Sequence, residues 1–433
     1  MLSAEVISMG TRIACFISVF IIISLSLISG CLNEEENSKE PISYEAKFVG
    51  VNDVVNSSNE FAFDMYRQLV SGSDNIFFSP YSITIALGMA YEGARGETAE
   101  EMLDVIDLPE NELTRREMVR SLQTLLNPGN APYDLSTANS YWLRIGETLN
   151  DSYRSTIEND YRAHGQQLNF VGDPSGSADT INQWVESETN GKIKNLISPS
   201  MITPLTYLIL TNAIYFKSDW KWQFDPDSTE TEDFHQSDGG KVDTRMMNMC
   251  DEELDHNYAE NDKIQILQLP YKGEELSMYI LLPRDKDISS LENELDSEYL
   301  NDLKSDMYGE WMDIYLPRFK FEERYDLNEC LKDMGMEKAF DPERADFGGV
   351  KENGKSELHI SKVIHKSFVE VNEEGTEAAA ATAVIEKDGS SLFGGSDPDP
   401  VVFRADHPFL FLIEHKDTGQ ILFMGKVEDP TSG

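Results

Sequence analysis

Seven histidines, four cysteines and many serines and carboxylates would suffice for a hydrolase or a metal site, but they are not spaced as either. No G-x-S-x-G turn sets a serine nucleophile between a strand and a helix, and no H-E-x-x-H pair puts two imidazoles on one helix face. One stretch stands apart from these. Glu373-Glu374-Gly375-Thr376-Glu377-Ala378-Ala379-Ala380-Ala381-Thr382-Ala383 leads through Val384 into Gly389-Ser390-Ser391-Leu392-Phe393-Gly394-Gly395-Ser396-Asp397-Pro398-Asp399-Pro400. The second stretch has the composition of an exposed, cleavable loop. Local propensity favours helix for the alanine run, with Thr376 able to cap its first turn. Yet the run follows strand-like Phe368-Val369-Glu370-Val371 without the loop a strand-to-helix reversal needs.

The elements around this stretch are mixed. Apolar residues recur at helical spacing from Phe61 to Val70, and Ser79-Pro80 opens a nearly all-apolar helix from Ser82 to Ala90 that must be buried. Asn182-Gln183-Trp184-Val185 before Gly191 reads as another helix, ended by a glycine cap. Strand runs bounded by turn residues cover 207–216, 277–282, 312–316, 366–371, 409–413 and 420–424. Helices come mostly early and strands mostly late, and no linker or repeat divides residues 55–430. The class is α+β in one large domain with large antiparallel sheets.

Several segments together resemble the serpins, the serine protease inhibitors that act by inserting their own loop into a sheet. Asn75-Ile76-Phe77-Phe78-Ser79-Pro80-Tyr81-Ser82-Ile83 is similar to an early family motif, followed by Gly93-Ala94-Arg95-Gly96-Glu97-Thr98. Asn182 to Val185 with Gly191-Lys192-Ile193, Thr211 to Lys217 with Trp220 and Phe224, Leu269-Pro270-Tyr271, Leu316-Pro317-Arg318-Phe319 and Ala345-Asp346-Phe347 follow in family order. Ile360 to Lys366, His407 to Phe411 and Phe423 to Val427 complete it. The resemblance implies three sheets with about eight or nine helices, an exposed reactive loop, and inhibition with neither catalytic residues nor cofactors. It places Ser79, Ser82, Asn212 and His365 in a buried polar cluster beneath the sheet that must part for the loop.

The hinge it implies is Glu373, Gly375, Thr376, Glu377, Ala378, Ala379, Ala380 and Ala381, and the residues themselves supply a test of competence. Gly375 offers backbone freedom where strand becomes loop. On insertion Thr376, Ala378, Ala380, Thr382 and Val384 would share one face of a new strand, small or β-branched and uncharged, with Glu377 on the other. That pattern favours an inhibitory member over a non-inhibitory carrier, chaperone or hormone precursor; the alternative is a non-inhibitory surface lipoprotein that uses the serpin-like body for binding, with the loop as plain substrate. Family spacing from Glu373 puts the cleaved bond at Gly389-Ser390, whereas counting back from His407-Pro408 gives Asp397-Pro398. The hinge count is preferred because sixteen strand residues reach roughly 53 Å, and that length sets how far a protease is pulled. Lys387 would suit a trypsin-like pocket, and Phe393 or Leu392 a chymotrypsin- or subtilisin-like one.

The N-terminus reads as an export signal. An uncharged run from Ile13 to Ile28 precedes Ser29-Gly30-Cys31, and Ile28 to Cys31 resembles a lipobox with Cys31 as the lipidated residue; a plain signal anchor is the alternative. Residues 31–54 then form an acidic tether, and the chain is expected at the outer face of the membrane. Asn56 and Asn150 each open a glycosylation pattern, and Cys250 and Cys330 could pair or stay as two thiols. With 36 Lys and Arg against 78 Asp and Glu, the net charge of −42 excludes a nucleic-acid binder. It also argues against a glycosaminoglycan partner, since Arg115, Arg116 and Arg120 lie among acidic neighbours. The expected partner is a serine or cysteine protease, met by a monomer.

Overall fold

The computed structural model describes residues 51–70, 74–351, 358–376 and 399–432. Helix α1 (Asn52–Leu69), strand β1 (Ile76–Phe78) and helix α2 (Pro80–Gly93) come first. Ser79 caps α2, its side chain accepting from the Ser82 amide, and Pro80 supplies the preset first turn. Every residue of α2 except Tyr91 is buried, as its lack of a polar face requires. There follow α3 (Gly96–Ile106), α4 (Glu112–Leu126), β2 (Asp134–Arg144), α5 (Asp151–Asn159), β3 (His164–Leu168), α6 (Pro174–Glu188) and β4 (Leu208–Asp219). Then come β5 (Glu230–His235), β6 (Lys241–Glu260), β7 (Ile264–Pro270), β8 (Leu276–Pro283), α7 (Ile288–Glu294) and α8 (Ser297–Ser305). The chain continues through β9 (Tyr308–Pro317), β10 (Phe319–Asp326), α9 (Asn328–Asp333), β11 (Val363–Val371) and the two-residue β12 (Gly375–Thr376). It closes with β13 (Val401–Arg404), β14 (Phe409–His415) and β15 (Gln420–Val427). All six strand runs expected from sequence fall on strands, five of them wholly and 207–216 with Tyr207 one residue ahead of β4.

The strands join into two hydrogen-bonded sheets. The first has six strands in the order β10-β11-β12-β4-β2-β3, and the second nine, β1-β15-β14-β8-β7-β6-β9-β13 with β5 on β6. A shift of register between Cys250 and Asp255 divides the 20-residue β6, so the nine-stranded sheet has two limbs. Counted as separate limbs, these give the three sheets that the resemblance implies, and nine α-helices lie among the described residues.

The six-stranded sheet carries the candidate site and is covered on both faces. Helix α2 packs against β4 and β15 on one side. On the other, Ile181 and Val185 of α6 close a separate apolar cluster over Trp142, Ala213 and Ile364. Strands β4 and β11 meet directly only over Leu210–Ile214 and Val363–Ser367, where they run parallel. Above that contact β12 is wedged between them. Cys250 and Cys330 form no disulfide; the Cys250 thiol bonds Asn248 instead, at 2.8 Å.

Candidate functional site

Strand β11 ends at Val371, and the chain reverses over Asn372–Glu374. Asn372 holds the reversal: its amide donates to the Gly375 carbonyl (3.0 Å), and its side-chain oxygen accepts from the amides of Glu374 (3.0 Å) and Gly375 (3.2 Å). The returning chain pairs Thr376 with Val371 on one side and with Ser218 on the other. The first hinge residues are therefore already strand, seated at the mouth between β4 and β11.

Each is held by named contacts. Glu373, buried, accepts from Arg318 Nε (2.7 Å), with Arg318 Nη2 and the Thr229 hydroxyl also bonded to it. The carbonyls of Glu373 and Glu374 accept from the amides of Phe224 (2.9 Å) and Trp220 (2.8 Å), and Trp220 Nε1 donates to the Asn372 carbonyl at 2.9 Å. Thr376 is buried, its hydroxyl 2.6 Å from the Tyr271 hydroxyl, and the Tyr271 ring stacks on Trp220 at 4.6 Å. Burial pushes the Tyr271 phenol far above its ordinary range, so it stays a neutral hydrogen-bonding group.

Gly375 is needed for a reason other than the bend expected from sequence. Its φ is not in the left-handed region. A Cβ there would stand 2.1 Å from the Ser218 carbonyl oxygen and 2.7 Å from the Asp219 Cα, so glycine permits two backbones to touch. Gly375→Ala is expected to push β12 out of the sheet and destabilise it by about 1–3 kcal/mol, the usual cost of overpacking. Faster hydrogen exchange at the Trp220 and Phe224 amides would register this; unchanged exchange would refute it.

The second group lies deeper, where β4 and β11 touch. Asn212 and His365 are register partners across that contact. The Ser79 amide donates to His365 Nε2 (3.0 Å), which leaves the proton on Nδ1, facing Asn212 Oδ1 at 3.3 Å. Ser82 donates to the same Asn212 oxygen (2.6 Å), and Asn212 Nδ2 donates to Asn139 Oδ1 of β2 (2.7 Å). Ser79 Oγ donates to the Leu422 carbonyl (2.6 Å) and Ser367 Oγ to the Phe77 carbonyl (2.6 Å). All four residues expected in the cluster converge, and Asn139 and Ser367 extend it. Fully buried polar groups so bonded fix a unique arrangement, yet every bond across the β4/β11 line must break if the strands part.

Burial pulls His365 down to about 3, so it is neutral in the fold. The unfolded chain takes up a proton near pH 6.5 and the folded one does not. Stability is therefore complete above pH 6.5 and declines as pH falls toward 3, by about 1.4 kcal/mol per unit. Burial also depresses His256 and His415, which add to the trend. Burial raises Glu323 to about 7 and raises Glu414, which work in the opposite sense, so the His365 share is read by difference: between pH 7 and 5 the thermal midpoint of His365→Asn is expected to fall less than that of the unmodified chain, and an unchanged slope would refute the assignment.

Of the sequence-predicted positions, Glu373, Gly375, Thr376, Ser79, Ser82, Asn212 and His365 are placed as above. Glu377, Ala378 to Ala381, the Gly389-Ser390 bond, Lys387, Phe393 and Cys31 lie outside the described residues. Sequence reasoning assigned no role to Arg318, Thr229, Trp220, Tyr271 or Asn372. The first, third and fourth stand in segments already noted as landmarks, which was the available signal.

A buried turn seated where β4 and β11 diverge, over a polar cluster that spans their contact, is the arrangement the family resemblance implies. The chain belongs to the serpin family: residues 56–430 match the family model described as serpin (serine protease inhibitor). Its members are for the most part protease inhibitors rather than catalysts. The chain is 42% identical to a serpin-like protein of Thermococcus kodakarensis over 381 residues, 88% of this chain and 86% of that one. It is 35% identical to mouse antithrombin-III, across 92% and 86% of the two chains. Among solved structures, Serpin48, a highly specific serpin of the insect Tenebrio molitor, superposes with a TM-score of 0.76 at 32% identity, covering 87% of this chain and 98% of that one.

Proposed function

We propose that this protein is an irreversible, suicide-type inhibitor of serine or cysteine endopeptidases. The carrying observation is the seated hinge. If the chain continues beyond Thr376 in the register that β12 keeps with Ser218 and Val371, Thr382 falls between Asn212 and His365. Those two residues are each other's present partners, so one new strand in one register divides the polar cluster along its own line. Continued further, Glu386 reaches Leu208, the first residue of β4, and Gly389 reaches Leu205 beyond it. This supports Gly389-Ser390 over Lys387, which would stop opposite Tyr207 beside the strand end.

The protease serine or cysteine adds to the Gly389 carbonyl, the Gly389-Ser390 amide bond breaks, and the Ser390 amine leaves with a proton. An ester or thioester to Gly389 remains. Insertion then drags the protease along the sheet, and hydrolysis stalls once its triad and oxyanion hole lose their geometry. The drive is release of a kinetically trapped fold. The reading includes an exported, Cys31-lipidated chain acting at the outer face of the membrane, through that lipid alone, as a monomer.

The arginines of α4 support the reading without a polyanion activator. Arg115 Nε donates to buried Glu92 (2.9 Å), Arg116 Nη2 reaches the same carboxylate (2.6 Å), and Arg120 faces Asp160 at 3.6 Å. All three are committed to acidic partners.

The test is a protease panel read by denaturing gel and mass spectrometry. An SDS-stable complex, a released C-terminal fragment beginning at Ser390 and a higher thermal midpoint after loop cleavage are expected. Proteases that cut the loop and stay active would overturn inhibition, and a fragment starting elsewhere would overturn the assigned bond.

A further inference from the structure

Strand β3 closes one edge of the six-stranded sheet, and its first residue, His164, is exposed there. The His164 ring lies nearly parallel to that of Trp184 on α6, with centres 5.0 Å apart and planes at 19°. Trp142 of β2 completes an aromatic triad, its centre 5.6 Å from His164 and 5.5 Å from Trp184, which it meets edge-on at 74°. Trp142 is fully buried, and its Nε1 donates to the Thr211 hydroxyl of β4 (3.0 Å), one residue before Asn212. A solvent-facing imidazole is thus joined through two indoles to the strand that carries Asn212.

The helix that His164 touches lies across the contact between β4 and β11. Ile181 and Val185 of α6 share one apolar cluster with Trp142 of β2, Ala213 of β4 and Ile364 of β11. Asn182 fastens the chain beyond the helix, its side chain bonding the Ile197 amide (2.9 Å) and carbonyl (2.8 Å). Because the cluster draws on both strands, β4 and β11 cannot separate beneath α6 without opening it.

The charges around the imidazole are few and mostly committed. Strand β3 carries no other ionisable side chain, and Arg162 before it donates to the Thr124 hydroxyl of α4 (2.8 Å). On β2, Asp134 and Arg144 stand at opposite ends, Arg144 bonded to Glu147 (2.6 Å). On α6, Glu186 is bonded to Lys194 (3.2 Å), Asp179 sits more than a turn before Trp184, and Glu188 one turn after it. A proton on His164 therefore meets the Trp184 ring first, and a cation over an indole at an exposed site shifts an equilibrium by about two- to fivefold. We propose that His164 and Trp184 form a proton-strengthened clasp, which seats α6 more firmly in mildly acid medium and so holds β4 and β11 together. Its bearing on inhibition rests on the reading above: acid slows strand entry, and more encounters end in a cut loop and a free protease. The sense is opposite to that of His365, whose burial makes acid costly to the whole fold, so variants are compared at one pH.

The test is hydrogen exchange at the Ile181 and Val185 amides of the full chain, with His164→Gln divided by the unmodified rate at pH 5.5 and again at pH 8. That ratio is expected to be about threefold larger at pH 5.5. His164→Phe, which keeps a ring and loses the proton, should match the unmodified chain at pH 8 and exchange about threefold faster at pH 5.5. In a Trp184→Leu background, His164→Gln should give the same ratio at both values. A ratio independent of pH in the unmodified background overturns the clasp. So does a dependence that survives Trp184→Leu, or one that Glu188→Gln abolishes, which would make it an ion pair. With a protease active at both pH values, His164→Gln should give less cut and more covalently bound inhibitor than the unmodified chain at pH 5.5, and the same proportions at pH 8. Equal proportions at both values overturn the bearing on insertion. If no covalent complex forms at all, the inhibitory reading falls, and the exchange ratio still decides the clasp.

Discussion

On the proposed inhibitory mechanism, Thr376→Arg is expected to leave only a substrate: the loop is still cut, but the protease is released active. Thr376 is the first residue of the inserting face, buried between β4 and β11, with its hydroxyl against Tyr271. Tyr271 is neutral, and its stacking partner Trp220 offers no anion, so a guanidinium in that slot would be a buried charge with no counter-charge among these neighbours. The effective penalty is several kcal/mol. Insertion competes with deacylation, and every ~1.4 kcal/mol on a barrier is tenfold in rate, so strand entry should slow by about a thousandfold while deacylation is untouched. Covalent complex should fall below about a tenth of the unmodified yield at equal loop cleavage. Thr376→Ser, which keeps the hydroxyl, should retain it. Normal complex yield from the arginine variant would remove Thr376 from the insertion path.

Much of this was legible in sequence because it is local. Runs rich in strand-forming residues and bounded by turn residues marked the strands, the apolar run with Ser79-Pro80 marked α2, and the small uncharged residues after Gly375 marked a segment that could be buried. What stayed hidden is tertiary. Arg318 lies 55 residues from Glu373 and Tyr271 lies 105 from Thr376, and no local pattern ties a carboxylate or hydroxyl to one partner at that distance. Gly375 shows the same limit in another form. Its importance was readable, but the cause was assigned to conformational freedom, because the approach of the Ser218 carbonyl depends on a strand far away in the chain. The fully buried His365 was grouped with Ser79, Ser82 and Asn212 by resemblance alone. Its tautomer and its depressed titration follow only from the Ser79 amide and the burial around it.

Glu373→Lys is expected to loosen the same mouth from the other side and to make the protein self-associate. Glu373 ties the β11/β12 reversal to Arg318 at the end of β9 and to Thr229 ahead of β5, so one carboxylate fastens three segments. A lysine there leaves Arg318 facing a like charge and leaves the Thr229 hydroxyl without its acceptor. Breaking a buried pair costs about 3–5 kcal/mol, and because the Arg318 side chain is 41% exposed the lower end applies. That exceeds what a two-residue strand can resist, so β12 should leave the sheet and expose the upper edges of β4 and β11. Unpaired strand edges recruit an extended segment from another copy. The variant should show a lower thermal midpoint and, on incubation below it, a ladder of oligomers on native gels. Glu373→Lys with Arg318→Glu restores the pair in reverse and should recover the monomer and most of the midpoint, because the geometry of the mouth is otherwise unchanged. Should the single variant stay monomeric at an unaltered midpoint, the ion pair is surface decoration, and the mouth is held by Trp220, Phe224 and Asn372 alone.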